Sequence, residues 1–327
     1  MTRFIVYGAG GIGGVLGGRL HQSGQDVLLI ARGAHYEAIR EKGLRVQSAE
    51  DDVTLDIPIV DHPSAIDWRD DDVVFLGMKS QDTLDALVTL THASPPTISV
   101  VSLQNGVANE RTAIRFYAHV YGICVMCPTN YLVPGVVQAY SAPITGLFDI
   151  GRYPEGIDDV ATSISDVLSK STYASEARED IMRWKYGKLL MNLGNGIDAL
   201  CGPGARGTDL FRIVREEGVA TLRAAGIAFV DAEEDAARRG NLMTLRPIAG
   251  ERRGGGSTWQ SLARGLGTVE TDYLNGEIVA LGRLHGVPTP ANELMQRITV
   301  RAAREGVEAG SVSPDELVAA LQESAGV

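Results

Sequence analysis

A chain of 327 residues is long for a single core and sufficient for two domains. Its formal net charge of −11, spread without a block of like sign, excludes the clustered Lys and Arg of a nucleic-acid surface. Apolar runs such as Val73–Leu76 fall far short of the about 20 residues that cross a bilayer, which excludes a membrane-spanning segment.

Residues 3–7 (RFIVY) form a β-rich run that stops at Gly8-Ala9-Gly10-Gly11-Ile12-Gly13. A secretory signal would need a longer apolar stretch and a small-residue cleavage pattern, so the run predicts a first strand and the cytoplasm is the expected compartment. Small and apolar residues continue to about Ser23, Gly24 ends the helix, and residues 26–30 (DVLLI) are the next strand. A strand–helix–strand unit closed in about 30 residues is what a mononucleotide-binding half requires. Within it Gly8 allows the tight turn, Gly10 lets backbone approach a pyrophosphate, and Gly13 permits close helix–strand packing. Ala9, Gly11 and Ile12 complete the loop, and the helix N-terminus turns free N–H groups and a positive dipole end toward phosphates. An NAD-binding chain places Asp or Glu after the second strand, on the ribose 2′-hydroxyl. Ala31-Arg32 stands there instead, and an arginine pairs with a 2′-phosphate, so NADPH is the expected cofactor; a merely solvated Arg32 is the plainer alternative.

The pattern continues with a helix over 34–41, short strands at 44–47 and 53–57, and a buried parallel strand at 72–78 behind Asp70-Asp71-Asp72. A helix over 82–90 is broken by Pro95-Pro96, and 97–103 (TISVVSL) is the next buried strand. From 121 to 150 the texture is strand and turn, with Pro134-Gly135 marking a hairpin, and a helix over 158–169 closes the first domain near residue 175. Cys124 and Cys127 have CxxC spacing, but on a strand residues three apart face opposite ways and no further ligand pair follows, so small buried thiols are expected.

Beyond 177 the pattern is helical, at 178–193, 208–225, 257–285, 290–305 and 313–324, interrupted by a glycine-rich basic loop over 247–256. Ser313-Pro314-Asp315-Glu316 is an N-terminal helix signature, with Ser at the cap and Glu three residues on. The fold class is therefore α/β: an N-terminal Rossmann-type domain over 1–176 followed by an all-helical C-terminal domain over 177–327.

Further segments carry chemistry. Met78-Lys79 and Leu103-Gln104-Asn105-Gly106 end two of the predicted strands. The helical half holds Lys188-Leu189-Leu190-Met191-Asn192, then Asn195, and later Glu270-Thr271-Asp272-Tyr273-Leu274-Asn275-Gly276. Lys188, Asn192 and Asn195 fall at i, i+4 and i+7, which on one helix would share a face. With the N-terminal glycine loop, this ordered set resembles the ketopantoate reductase (2-dehydropantoate 2-reductase) family over nearly the whole chain.

The resemblance implies an NADP-dependent oxidoreductase of pantothenate biosynthesis, reducing a 2-oxo acid to a 2-hydroxy acid in a cleft between the domains. Ketopantoate is the first substrate it suggests. It implies Lys188 as catalytic acid and Glu270 as its carboxylate partner, with Lys79 and Asn105 beside the nicotinamide and substrate. Asn192 and Asn195 become substrate-binding amides, and Ser257-Thr258 matches a serine pair whose second member touches the substrate carboxylate. The chemistry is consistent, because hydride delivery to a ketone builds negative charge on oxygen and an ammonium supplies both charge and proton. His21, His35, His62, His92, His119 and His285 share no ligand spacing and are expected to be structural or exposed, while Trp184, four residues before Lys188, is expected in the core.

Departures from the family pattern are the short Asn192-to-Asn195 spacing, Trp259 after the Ser-Thr pair, and the glycines over 250–256. They leave open a different 2-oxo acid or ketone. A β-hydroxyacid or opine-type dehydrogenase and a non-catalytic NADPH-binding sensor are the competing readings. The expected partner is a small molecule, without nucleic acid or membrane, and a homodimer is the assembly under consideration.

Overall fold

In a computed structural model of the chain, which describes residues 2–202 and 204–324, the apolar run Arg3–Tyr7 is a buried strand, β1. Helix α1 (Gly11–Gln22) follows the glycine loop, and β2 (Asp26–Ile30) lies parallel to β1. Beyond α2 (Gly33–Lys42) come β3 (Leu44–Ser48), β4 (Asp52–Leu55) and β5 (Ile59–Val60). The main sheet continues through β6 (Val73–Leu76), α3 (Thr83–Thr91), β7 (Ser99–Ser102), the short α4 (Asn109–Ala113) and β8 (His119–Met126). The two-residue β9 (Thr129–Asn130), then β10 (Val136–Ala139), β11 (Ser141–Pro143), β12 (Gly146–Arg152), α5 (Asp159–Lys170) and β13 (Tyr173–Ala174) complete the run.

The main sheet has the order β13-β12-β8-β7-β6-β1-β2-β5, with β12 antiparallel to β8 and its other pairings parallel. The chain builds outward from β1 through β2 to β5 and then returns to the other side of β1 at β6. The strand order therefore reverses between β1 and β6, and the C-terminal ends of those strands open the crevice where such sheets take ligands. A second sheet, β4-β3-β10-β9, packs on the other flank of α1; β9 and β10 are the antiparallel pair expected around Pro134-Gly135. Because α1 is squeezed between two sheets, glycines stand where it comes nearest to each. A Cβ at Gly17 would lie 2.6 Å from Leu29 Cδ2, and one at Gly18 2.6 Å from Val46 Cγ2.

After β13 come α6 (Ile181–Asn192), α7 (Asn195–Cys201), α8 (Asp209–Ala224), α9 (Ala232–Arg239) and β14 (Met243–Leu245). The last helices are α10 (Ser257–Ala263), α11 (Asn275–His285), α12 (Pro290–Glu305) and α13 (Pro314–Ser324). The chain forms two units: residues 1–185 with 232–253, and 186–231 with 254–327. This differs from a single cut at 176/177, because the segment carrying α9 and β14 belongs with the sheets. Arg238 of α9 donates to Asp149 on β12 through Nε (2.9 Å) and Nη2 (2.6 Å), and β14 pairs antiparallel with β11. Asp149 is wholly buried, so its charge requires these partners, with Arg178 Nε as a third at 3.0 Å. Helix α6 passes from the first unit into the second after Lys185.

The described residues of the second unit are helical, and α8, α11 and α12 pack on one another around Val214, Leu222, Ile278 and Met295. The single helix expected over 257–285 is instead two. Gly265 and Gly267 take φ +60° and +68°, outside the right-handed helical region, and Glu270–Tyr273 is a 3-10 turn. The start of α13 is as expected: Asp315 N–H donates to Ser313 Oγ (3.2 Å) and Ser313 N–H to Glu316 Oε2 (3.3 Å). No described helix is long and apolar enough to cross a membrane.

Arg19 on α1 donates two hydrogen bonds to Asp51, at 2.6 and 2.9 Å, fastening the β3–β4 turn to that helix. These bonds pull the Asp51 carboxyl from 3.8 down to about 2. A depressed folded pKa adds stability that is complete above the unfolded value and is lost as pH falls through the folded one. Asp51 is partly open to solvent, which limits the contribution to about 1 kcal/mol. Denaturant midpoints of the wild type and Asp51→Asn should therefore differ at pH 7 and converge as the pH falls from about 4 to 2. A gap of equal size at both ends would assign the effect to packing.

Candidate active site

The glycine loop is held by crowding. Gly8 has φ +101°, and a Cβ there would lie 2.6 Å from Met78 N; one at Gly13 would lie 2.2 Å from Gly8 O. At Gly10 the nearest heavy atom to an added Cβ is Tyr131 Cδ1 at 3.8 Å, so this face of the loop is open. The first intrahelical bond of α1 runs from Gly14 N–H to Gly10 O, leaving the N–H groups of Gly11, Ile12 and Gly13 without a helical acceptor. No acidic residue lies in the first turn and no side chain caps it. The cradle thus fits the diphosphate of a dinucleotide: open backbone at Gly10, unspent donors and a positive helix end.

Ala9, between these glycines, is buried, and its carbonyl accepts from His35 Nε2 at 2.7 Å. His35 Nδ1 accepts from Gly135 N–H at 2.9 Å, so the ring is the neutral tautomer protonated on Nε2. His35 is structural, as expected, yet it is the residue that ties the cofactor loop to the second sheet. Its sequence position, five residues past β2, gave no sign of this. Arg32 is exposed at the N-cap of α2, close enough to Tyr7 for its charge to oppose the burial that raises that phenol. Lys79 is half-buried after β6, and Asn105 half-buried after β7.

The loops bearing Lys79 and Asn105 are cross-tied. Gln104 Nε2 donates to Met78 O (2.9 Å) and Thr83 Oγ1 (2.6 Å), and Asn109 Nδ2 donates to Ser80 Oγ (3.0 Å) and Asn105 O (3.2 Å). Lys185 and Glu110, which the sequence reading passed over, are buried beneath them. The two CxxC thiols diverge, as expected: Cys124 Sγ faces Trp184 O at 3.7 Å and Cys127 Sγ faces Thr145 O at 3.4 Å. Burial pushes the Cys127 thiol up to about 12.

In the second unit Lys188 is half-buried and Asn192 buried, one turn apart on α6. Asn195 does not continue their face on one helix, because the helix is interrupted at Leu193-Gly194 and Asn195 opens α7. Arg206 bridges the interruption, donating to Met191 O (2.7 Å), to Asn195 Oδ1 (2.7 Å) and to Asp198. The carbonyl side of Asn195 is thus engaged by a cation. Ser257 is half-buried and Thr258 buried in the first turn of α10, which packs against α7. Glu270 is buried at the head of its 3-10 turn, whereas Asp272 is exposed and accepts from Gln296 Nε2 at 2.7 Å. Asn275, in the same segment, is structural: it donates to Leu193 O (3.1 Å) and Asn292 Oδ1 (3.0 Å). Trp184 is core, with the Arg178 guanidinium 4.2 Å above its ring. The glycines before α10 have a packing reason, since a Cβ at Gly254 or Gly255 would lie 2.6 or 2.4 Å from the Trp259 ring.

Two family profiles match the chain, "Ketopantoate reductase PanE/ApbA" over residues 4–154 and "Ketopantoate reductase PanE/ApbA C terminal" over 180–302. Among curated relatives, 2-dehydropantoate 2-reductase of Pyrococcus abyssi is 29% identical over 301 residues, covering 90% of this chain and 95% of that one. The Pyrococcus horikoshii protein of the same name is 28% identical over 317 residues, covering 94% and 99%. Among solved structures, a PanE/ApbA family ketopantoate reductase from Ralstonia eutropha JMP134 superposes with a TM-score of 0.76 at 29% identity, covering 93% of this chain and 98% of that one. D-mandelate dehydrogenase in complex with NADH and anilino(oxo)acetate shares the fold, with a TM-score of 0.78 at 24% identity and coverage of 93% and 98%.

The two glycines of the cradle separate folding from ligand approach. Gly13→Ala meets backbone and should lower the thermal midpoint by several degrees. Gly10→Ala meets nothing closer than 3.8 Å and should cost less than about 1 kcal/mol of stability while weakening dinucleotide binding by roughly tenfold or more. Thermal melts and cofactor titrations of both variants check this; unchanged binding by Gly10→Ala would remove the cradle from cofactor recognition.

Proposed function

The chain belongs to the ketopantoate reductase family, and from that premise we propose that it reduces a 2-oxo acid to the 2-hydroxy acid with NADPH, ketopantoate being the leading substrate. The observation that carries the cofactor reading is the open, acid-free helix end at Gly10–Gly13 with Arg32, and no carboxylate, following β2. A carboxylate there would repel a 2′-phosphate, whereas a guanidinium pairs with one.

When bound, NADPH supplies the hydride. The groups of this chain then have the following parts. Lys79 and Asn105 flank the reacting carbonyl. The Lys188 ammonium bonds the carbonyl oxygen, stabilises the charge that grows there, and gives up one proton, so that the C=O becomes CH–OH and the amine regains its proton from solvent. Buried Glu270 orients that ammonium or accepts from a substrate hydroxyl. Thr258 donates to the substrate carboxylate, with Ser257 beside it, and Asn192 binds the substrate through its amide. Asn195, its oxygen engaged by Arg206, is left to act through its NH2 group.

The second reading, a different 2-oxo acid or ketone as substrate, draws on two features: the Asn195–Arg206 contact and the Trp259 ring laid over Gly254 and Gly255. A spectrophotometric screen of NADPH and NADH consumption with ketopantoate and bulkier 2-oxo acids decides between the substrates. A non-catalytic sensor would bind NADPH and turn over none of them.

Two variants test the assigned roles. Lys188→Ala should lower kcat by roughly two to four orders of magnitude with NADPH binding retained. Near-normal turnover would remove Lys188 from the reaction. Arg32→Ala should raise the KM for NADPH at least about tenfold more than that for NADH, and equal losses would show that Arg32 does not read the 2′-phosphate.

A further inference from the structure

We propose that Lys185, paired with Glu110, is a positioning residue that sets the Gln104-Asn105 backbone against the nicotinamide end of the cofactor. Both side chains are almost wholly inaccessible, at 2% and 0% exposure. The ammonium lies 2.7 Å from Glu110 Oε1 and donates to two carbonyls, Gln104 O at 2.9 Å and Ile123 O at 3.2 Å. The ammonium thus has three oxygens within 3.2 Å. Glu110 is served less well: neither of its carboxylate oxygens has an aligned hydrogen-bond donor, so its tie to Lys185 is coulombic.

A pair of this kind is a poor device for stability alone, because desolvation of two ions offsets their attraction and apolar replacements of similar size are often as stable. What distinguishes it is the backbone it grips. Gln104 immediately precedes Asn105, and the loop then turns through Gly106 at φ +79°. Asn109, next to Glu110, bonds the Asn105 carbonyl, while the Gln104 side chain reaches back to Met78 O. The pair therefore closes a polar framework around the loops after β6 and β7, at the point where the strand order reverses. Gly122 on β8 makes room for it, since a Cβ there would lie 3.0 Å from Glu110 Oε1 and 3.2 Å from Lys185 Cδ. Without the ammonium, the Gln104 carbonyl would be a buried acceptor with no donor, and the loop would shift to find one.

The inference rests on the reading that Asn105 lies beside the nicotinamide, and its test uses two ligands that share one end. The double variant Lys185→Met with Glu110→Met removes both charges at nearly constant volume. It should fold, bind 2′,5′-ADP as the wild type does, and bind NADPH about tenfold more weakly. Glu110→Gln, which keeps the ammonium on the Gln104 carbonyl, should lose stability yet keep the wild-type ratio of NADPH to 2′,5′-ADP affinity. Should the double variant not accumulate, Lys185→Gln, able to serve one carbonyl only, is read the same way and should also lower the ratio. An unchanged ratio, or equal loss of both ligands, overturns the proposal and leaves the pair merely structural. A wild-type protein that binds NADPH but reduces no 2-oxo acid would fail the functional reading while leaving this ratio measurable.

Discussion

The first unit is built around one crowded atom, the carbonyl oxygen of Gly8. A Cβ on Gly13 would come within 2.2 Å of it and one on Gly77 within 2.6 Å, so β1, the start of α1 and the end of β6 converge there with no side chain between them. That convergence brings the helix N-terminus down onto the ends of the strands where the sheet reverses direction. It leaves three backbone N–H groups without a helical acceptor next to the open face at Gly10, and a ligand with negative oxygens is the natural occupant. The remaining polar devices of the unit preserve this geometry. His35 holds the Ala9 carbonyl from one side, and the network of Gln104, Asn109 and Lys185 holds the neighbouring loops from the other.

Much of this was legible in the sequence because it is local. Strand runs of four to five apolar residues, glycines at fixed offsets and the Ser313 cap each act within a few positions of themselves, and each formed where expected. What escaped depends on partners far away in the chain. Asp149 cannot be read as an anchor until Arg178 and Arg238 are seen to meet on it, and for that reason the return of 232–253 to the sheets was not visible. The breaks at Gly265, Gly267 and Leu193-Gly194 were hidden in patterns that remain helical in their spacing.

The glycine-rich stretch before α10 shows how composition alone misleads. Read as sequence, 247–256 is a glycine-rich basic loop. In the structure Gly254 and Gly255 lie under the Trp259 ring, where any side chain would collide with it, so the glycines are there for contact as much as for freedom. The same applies to Asn195. Its spacing placed it on the Lys188 face, but Arg206 claims its oxygen together with the Met191 carbonyl exposed where α6 ends. Both features lie in the second unit, one at Asn195 and one beside the Ser257-Thr258 pair.

Helix α6 carries two lysines three residues apart, and their surroundings separate their duties. Lys185 is enclosed by Glu110, Gln104 O and Ile123 O, so a substrate oxygen could reach its ammonium only by displacing a bond that the loop needs. Such a lysine holds structure and is a poor proton donor to a ligand. Lys188, one turn later and half-buried, lies on a stretch with buried Asn192 and in the unit that also holds Thr258 and Glu270. The family pattern alone cannot explain why a helix would bury a second cation so close to the catalytic candidate. The contacts do: Lys185 is spent on the Gln104 and Ile123 carbonyls beside Glu110, in the first unit, whereas Lys188 lies with Asn192 in the second.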